Sequence, residues 1–257
     1  MNLEDYQLLT IFVVSLAAML GGCEIGRLLG IRATGRGGDD VSTLEGAVLG
    51  LLALMIGFTF AMALTRFEAR RDAVLNEANA IGTTALRARL LPAPHDAEAL
   101  KSLREYVKIR LNITQRVVTP AELKAAIGRS NEIQEELWRN AKNLAAKDTG
   151  FVPTGLFIQS LNEMIDNQGK RLHALRSRVP NIVFLALYGV AIVAFIFAGY
   201  ANGLGARRVR LPIYLMGALV SAVILLIQDL DRPTAGFINI SQQPMIDTAA
   251  SIAAFTD

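Results

Sequence analysis

Side chains that could carry chemistry are few in this chain and stand far apart in the sequence. His95 and His173 have no other metal-ligating residue at a useful spacing, and the single cysteine, Cys23, is expected to be a buried free thiol. The sequence has no run of oxygen ligands like a calcium loop, no phosphate-binding glycine loop, no nucleophile elbow and no zinc-protease helix. We therefore predict no metal, no cofactor and no enzyme activity.

Ionisable residues at the ends of apolar segments are the remaining candidates, because a charge at membrane depth is costly and needs a partner. Glu24 with Arg27, and Glu45, each lie within about one helical turn of a predicted membrane surface, where local pairing or contact with water satisfies them. We expect a structural role for Glu24 and Arg27. An intramembrane enzyme that uses Asp229 or Glu45 is the third and least favoured alternative, because no paired catalytic groups lie at membrane depth.

The motif "DLDRP" marks a forced helix end beside the membrane and directly follows Gln228. Its acids can accept hydrogen bonds from exposed backbone donors, or they can pair with the arginine. Either arrangement would hold the following tail in place. We call these residues the membrane-exit cluster: Asp229, Asp231, Arg232 and Pro233.

The second apolar segment carries two stripes of different character. One is a seam of small residues, which allows another backbone to approach closely in lipid: Gly46, Gly50, Ala53, Gly57 and Ala61. The other is a bulky stripe of Ile56, Phe60 and Leu64, spaced by four. Bulky apolar rings around a symmetry axis can form a constriction that gates by dewetting. The alternative is that this stripe faces lipid or packs inside the helical bundle.

The stretch "NEANAIGTT" continues the same helix with small polar residues. On a helical wheel, Asn76, Glu77, Asn79 and Thr83 fall on one side, opposite apolar residues such as Ile81. A freely solvated face usually carries long charged side chains, so this polar seam favours either a packed contact between helices or the lining of a narrow wet vestibule. In a straight helix the polar seam and the bulky stripe do not share a face, so they would not line the same channel. We therefore predict that the polar seam is a packed contact between helices.

Four uncharged windows, each about 17 to 25 residues or longer, are able to span a hydrocarbon core: Tyr6–Cys23, Gly46–Thr65, Val179–Ala206 and Leu211–Gln228. The chain is 52% hydrophobic and only 19% charged, which is rare for a soluble domain. The start "MNLED" is acidic where a secretory signal is basic, so the first window is kept as a permanent helix.

The residues between the second and third windows predict a helical bundle outside the membrane, Arg66–Arg178. The second helix has no proline before Pro92 and should run from about Leu44 to Leu91, roughly 70 Å. An amphipathic helix follows, and "TPAE" then starts another, with Thr119 as cap and Glu122 reaching back. After a further helix, the fourth window leads into a tail with an extended segment and a weak terminal helix.

The fold prediction is all-α, with four transmembrane helices per subunit, a helical extramembrane bundle inserted between the second and third, and a second helix extended beyond the membrane. We expect four parts: a first transmembrane pair at 1–65, the bundle at 66–178, a second pair at 179–229 and a tail at 230–257. The net charge of +3 comes from arginines that flank the membrane segments, which favours contact with lipid headgroups over nucleic acid.

The stretches "LEGAVLGLLALMIGFTFAMALTRFEARRDAVLNEANAIGTTALRARLLP" and "DLDRPTAGFINISQQPM" resemble a family of bacterial integral membrane proteins described as bestrophin-like. The resemblance covers most of the chain and extends to bestrophins, which are pentameric, mainly anion-selective channels with an apolar neck on the second helix. It implies a bacterial inner-membrane protein, a homo-oligomer, and Ile56, Phe60 and Leu64 as neck residues. This chain lacks the dense acidic cluster that binds calcium in animal bestrophins.

Two functions follow as hypotheses. The first is an oligomeric ion channel for anions. The second is a non-conducting membrane scaffold or sensor whose helical bundle binds a partner. Arginines flank both membrane surfaces, so charge alone does not orient the chain, and we assign the bundle to the cytoplasm.

Overall fold

The computed structural model describes residues 7–33, 38–115, 119–147, 152–205, 210–233 and 236–255. Within those residues the fold is all-α and contains no strand, as predicted. The helices are α1 (Leu8–Arg32), α2 (Gly38–Ala88), α3 (His95–Gln115), α4 (Pro120–Ala145), α5 (Val152–Arg176), α6 (Asn181–Leu204), α7 (Leu211–Asp231) and α8 (Gln243–Ala253).

Among the described residues, four helical segments are long and apolar enough to cross a membrane, which confirms the prediction of four spans. They are Leu8–Arg32, Val41–Ala88, Val152–Leu204 and Leu211–Asp231. The third segment includes α5 and α6, and its uncharged stretch begins at Val179. The long second helix is also confirmed: α2 has 51 residues, which corresponds to about 75 Å at 1.5 Å per residue.

The chain divides into two compact units. The first, which we call the membrane unit, contains the residues up to Phe67 together with Arg178–Ile238. The second, which we call the bundle unit, contains Glu68–Ser177 and the residues from Asn239 onward. Helix α2 contributes to both units, and the tail divides between them after Ile238.

Close contact between α1 and α6 organises the membrane unit. A Cβ atom added to Gly26 would lie 2.0 Å from the carbonyl oxygen of Ile196, and one added to Gly199 would lie 2.0 Å from that of Cys23. Only glycine therefore permits this backbone approach, which is the way helices pack in lipid. Beside this contact lies an apolar cluster that includes Met19, Leu52, Leu187, Phe195 and Ile224.

The bundle unit has its own apolar core, in which α3, α4 and α5 supply fully buried side chains such as Leu103, Leu137 and Leu161. The predicted capping box of α4 is present, because the Thr119 hydroxyl accepts from the Glu122 amide at 3.2 Å and the Glu122 carboxylate accepts from the Thr119 amide at 2.8 Å. Helix α8 of the tail belongs to this core through buried Met245 and Ile252.

Candidate functional site

The small-residue seam of α2 is exposed along its whole length. Gly46, Gly50 and Gly57 have open space around them, since a Cβ atom added to any of the three would meet nothing within 4 Å. Ala53 and Ala61 are exposed as well. Gly22, Gly26 and Gly30 of α1 are buried against α6, so the two glycine-rich helices differ sharply. The seam of α2 is therefore an open face among the described residues.

The bulky stripe of α2 is less exposed than the small-residue seam. Ile56, Phe60 and Leu64 are each half-buried, and Ile56 and Phe60 pack against the apolar cluster that contains Ala63 and Ile227. Two other bulky residues are much more exposed: Leu54 at 55% and Phe58 at 62%. Their spacing continues that of Gly50 by fours, a pattern present in the sequence that our stripe assignment passed over.

The polar seam divides between the surface and the interior of the bundle unit. Asn76 and Asn79 are exposed, Thr83 is half-buried, and Glu77 is completely buried. The neighbouring Thr84 is also buried, and its hydroxyl donates to the carbonyls of Ala80 at 2.7 Å and Ser160 at 3.0 Å. The four residues therefore do not act as one surface: three reach the outside and the carboxylate points into the core.

Glu77 lies between two buried arginines. Its Oε1 accepts from Nε of Arg110 at 2.7 Å, and its Oε2 accepts from Nη1 of Arg171 at 2.5 Å. Arg110 comes from α3 and Arg171 from α5, and their side chains are both 3% exposed. One carboxylate thus joins three helices of the bundle unit in a low-dielectric interior, where such bonds are strong and hard to replace.

A network of neutral polar side chains extends from this ion pair cluster. The Tyr106 hydroxyl donates to Oε1 of Gln168 at 2.8 Å, and Nε2 of Gln134 donates to the Tyr106 hydroxyl at 3.2 Å. Burial, and after it the nearby charge of Glu77, raises the pKa of Tyr106 above its ordinary value. Nη2 of Arg171 donates to Oε1 of Gln242 at 3.0 Å, so the network reaches the tail.

Sequence reasoning missed these partners of Glu77. Arg110 stands three residues after the core residue Val107, and Arg171 stands seven residues, or about two helical turns, after the core residue Met164. An arginine at a core position of an amphipathic helix needs a buried acid, because a buried charge is rarely left unpaired. That pattern was the available indication of a buried ionic cluster.

The membrane-exit cluster holds backbone amides of the membrane unit. The Asp229 carboxylate accepts from the amides of Phe237 at 2.9 Å and Ile238 at 3.0 Å. Both oxygens of Asp231 accept from the amide of Val179, at 3.0 and 3.1 Å, just before α6 begins. The two acids are buried, whereas Arg232 and Pro233 are half-buried. The geometry ties the end of α7 to the start of α6 and to the first residues of the tail.

The remaining ionisable candidates sit near the other end of the membrane helices. Glu24 pairs with Arg27 at 2.6 Å on α1 and accepts a hydrogen bond from the hydroxyl of Tyr214 on α7. Glu45 is half-buried. Cys23 is buried as a free thiol, and among the described residues no three His, Cys, Asp or Glu side chains come together to hold a metal ion.

The sequence profile of the Bestrophin-like domain matches residues 13–245, which is most of the chain. The chain belongs to the bestrophin-like family. No curated protein matches it in sequence. It is similar in structure to a mutant of a bacterial Bestrophin homolog from Klebsiella pneumoniae, with a TM-score of 0.69, 15% identity and coverage of 97% of this chain and 100% of that chain.

A second crystal structure of a bacterial Bestrophin homolog from Klebsiella pneumoniae gives the same result, with a TM-score of 0.64, 17% identity and coverage of 96% of each chain. At identities this low the likeness shows a shared fold rather than a shared activity. This bestrophin-like chain is therefore a membrane protein with the bestrophin fold.

Proposed function

We propose that this bestrophin-like protein is an oligomeric ion channel that conducts anions, with α2 lining the pathway. The observation that carries the proposal is the open face of α2 in the membrane unit. All five small residues there are exposed, and the three glycines have open space around them in the chain's described part, although glycine-rich faces in lipid serve close contact. A face of this kind is suited to a neighbouring subunit or to a narrow pathway at a symmetry axis.

Two sets of bulky residues compete for the neck of this pathway. The family resemblance favours Ile56, Phe60 and Leu64. The half-buried positions of these three residues against the chain's own core favour a second set, Leu54 and Phe58, which are exposed as the open glycines are. The proposal therefore requires a narrow apolar ring on α2 and lets a matched pair of variants decide which set forms it.

Single-channel recording in planar bilayers compares Phe58→Ala with Phe60→Ala. If Phe58 lines the neck, its truncation widens the ring and raises conductance, whereas Phe60→Ala leaves conductance near the parent value and lowers thermal stability, because it removes packing. The reverse pattern assigns the neck to the stripe of Ile56, Phe60 and Leu64. Unchanged conductance in both folded variants contradicts an apolar neck on α2.

The remaining assignments belong to the same proposal: a homo-oligomer, pentameric as in bestrophins, that resides in the bacterial inner membrane with its bundle in the cytoplasm and contacts lipid and ions but no nucleic acid. The parts at 1–65, 66–178, 179–229 and 230–257 remain the proposed limits of the membrane pairs, bundle and tail. Native mass measurement in detergent gives the subunit number, and a monomer would contradict it.

A non-conducting scaffold is the second candidate. It is favoured by the bundle unit's own core and by exposed Trp138 on α4, since an exposed large aromatic side chain is typical of binding surfaces. A folded oligomer that is silent in bilayers, together with a partner captured by the full chain and lost in Trp138→Ala, would favour the scaffold over the channel.

A further inference from the structure

Three polar side chains meet in the interior of the membrane unit, each from a different membrane helix. They are Ser15 of α1, Tyr188 of α6 and Gln228 of α7. The hydroxyl oxygens of Ser15 and Tyr188 are 3.1 Å apart, and Nε2 of Gln228 donates to the Tyr188 hydroxyl at 2.9 Å. Ser15 is only 4% exposed and Gln228 only 5%. Lipid offers no hydrogen bonds, so every polar group here needs a partner inside the protein.

The hydrogens of this cluster can be assigned one by one. The Ser15 hydroxyl donates its single hydrogen to the carbonyl of Ile11 at 2.6 Å. The Tyr188 hydroxyl therefore donates to Ser15 and accepts from Gln228. Each group therefore donates to the next one, from Gln228 through Tyr188 and Ser15 to the backbone carbonyl of Ile11. Oε1 of Gln228 takes no part in these hydrogen bonds.

Oε1 of Gln228 is buried and has no hydrogen-bond partner among the described residues. Turning the amide around does not remove the problem. Oε1 would then accept from Tyr188, and Nε2 would be the group left without a partner. In either orientation one half of a buried amide lacks a hydrogen bond, which is rare in folded proteins.

We propose that a water molecule is bound beside the Gln228 amide and completes its hydrogen bonds inside the membrane unit. A single water both donates and accepts, so it fits either orientation of the amide, and buried waters occupy positions of this kind. A cation fits less well. The three side chains are neutral, and the carboxylate of the adjacent Asp229 already accepts from two backbone amides.

The water lies at a junction in the fold. Tyr188 packs against both apolar clusters of the membrane unit, and so does Ile56 of α2. A hydrated polar cluster at this junction links α1, α6 and α7 on the inner side of α2. The site requires no ion conduction, so it is independent of the proposed channel function.

A crystal structure of the full-length protein at about 2 Å resolution tests the proposal, with one crystal soaked in thallium ions. The expected result is a density peak at about 2.7–3.2 Å from the Gln228 amide, with no anomalous signal in the thallium soak. The peak should be absent in Gln228→Met, which keeps the side-chain length but has no amide. An empty site, or an anomalous thallium peak that marks a cation, would overturn the proposal.

A second measurement does not depend on crystals. Proton-detected solid-state NMR on the glutamine-labelled protein in lipid should show a cross-peak between water and one protected side-chain amide. That amide is assigned to Gln228 by its loss in Gln228→Met. A Gln228 amide signal without a water cross-peak would contradict the inference.

Discussion

Glu77 is a buried acid that pairs with two buried arginines in the bundle unit. Its carboxylate faces the guanidinium groups of Arg110 and Arg171, and all three side chains are almost completely buried. Removal of one partner from a buried ion pair is strongly destabilising, because the charge that remains is neither solvated nor compensated. Here a single substitution would leave two such charges.

Glu77→Gln should therefore lower the free energy of unfolding by about 3–5 kcal/mol. Thermal unfolding of the purified protein in detergent measures the effect. Glu105→Gln is the matched control, since Glu105 is 46% exposed and pairs with Arg129 at the surface, where an ion pair contributes little. Equal melting temperatures for Glu77→Gln and Glu105→Gln would mean that the buried cluster does not hold the bundle together.

Tyr106 should make the bundle sensitive to alkaline pH. Burial raises the pKa of Tyr106 in the folded protein, so above pH of about 10 the unfolded chain loses this proton first. The contribution of Tyr106 to the free energy of unfolding is therefore fully present below about pH 10. Above that pH the free energy of unfolding falls by up to about 1.4 kcal/mol per pH unit.

Equilibrium unfolding in detergent at several pH values above about 9 measures this dependence. Tyr106→Phe has no phenol to ionise, so its unfolding free energy should fall less steeply with pH than that of the parent protein, whatever its absolute value. Identical slopes for the two proteins would show that Tyr106 does not titrate with the fold.

The sequence was most informative about the lengths and ends of individual helices. The length of α2 follows from the absence of proline, and the start of α4 follows from Thr119, Pro120 and Glu122, because these are local features. Pairing between distant helices is not local. The glycines at 22, 26 and 30 lie on one face of α1, as those at 46, 50 and 57 do on α2, yet only tertiary packing decides that the first set is buried and the second exposed.

The same limit applies to the candidate site. A helical wheel placed Glu77 with Asn76 and Asn79, because all three are polar and close on one face. The burial of Glu77 depends instead on arginines 33 and 94 residues away in the chain. The polar pattern of a single helix carries no information about partners on other helices. Arginines at core positions nevertheless indicate that a buried acid exists.

The α1–α6 contact predicts a position-dependent effect of adding one methyl group. Gly26→Ala and Gly199→Ala should each destabilise the protein by about 1–3 kcal/mol, because the new Cβ atom collides with a backbone carbonyl. Gly21→Ala on α1 and Gly189→Ala on α6 have open space around the site and should not destabilise it. Melting temperatures in detergent distinguish the two pairs, and equal values would rule out the close contact.

The link between α7 and the tail predicts a local effect on exchange. Asp229→Ala removes the acceptor for two backbone amides, so the amide hydrogens of Phe237 and Ile238 should exchange about 10- to 100-fold faster. Hydrogen–deuterium exchange measures this, with Asp247→Ala as a control at an exposed position of α8. Unchanged exchange in Asp229→Ala would show that the carboxylate does not hold the tail.

At the scale of the whole molecule, the described residues combine a bestrophin fold with four helices able to cross a membrane and an exposed α2 face whose glycines have open space around them. Family membership and fold were accessible from the sequence, because the motifs on α2 and after α7 carry the resemblance. The proposed conduction would depend on what the open face of α2 meets in the proposed oligomer. Small residues are suited both to a contact between subunits and to the lining of an ion pathway. Only a measurement of ion transport therefore distinguishes a channel from a scaffold.

The most direct measurement of the central claim is chloride flux from liposomes that contain the purified full-length protein. The channel account predicts flux above that of protein-free liposomes, and a changed rate on truncation of the neck residue, Phe58→Ala or Phe60→Ala. Liposomes that hold a correctly folded oligomer and release neither chloride nor a cation such as potassium would contradict the account.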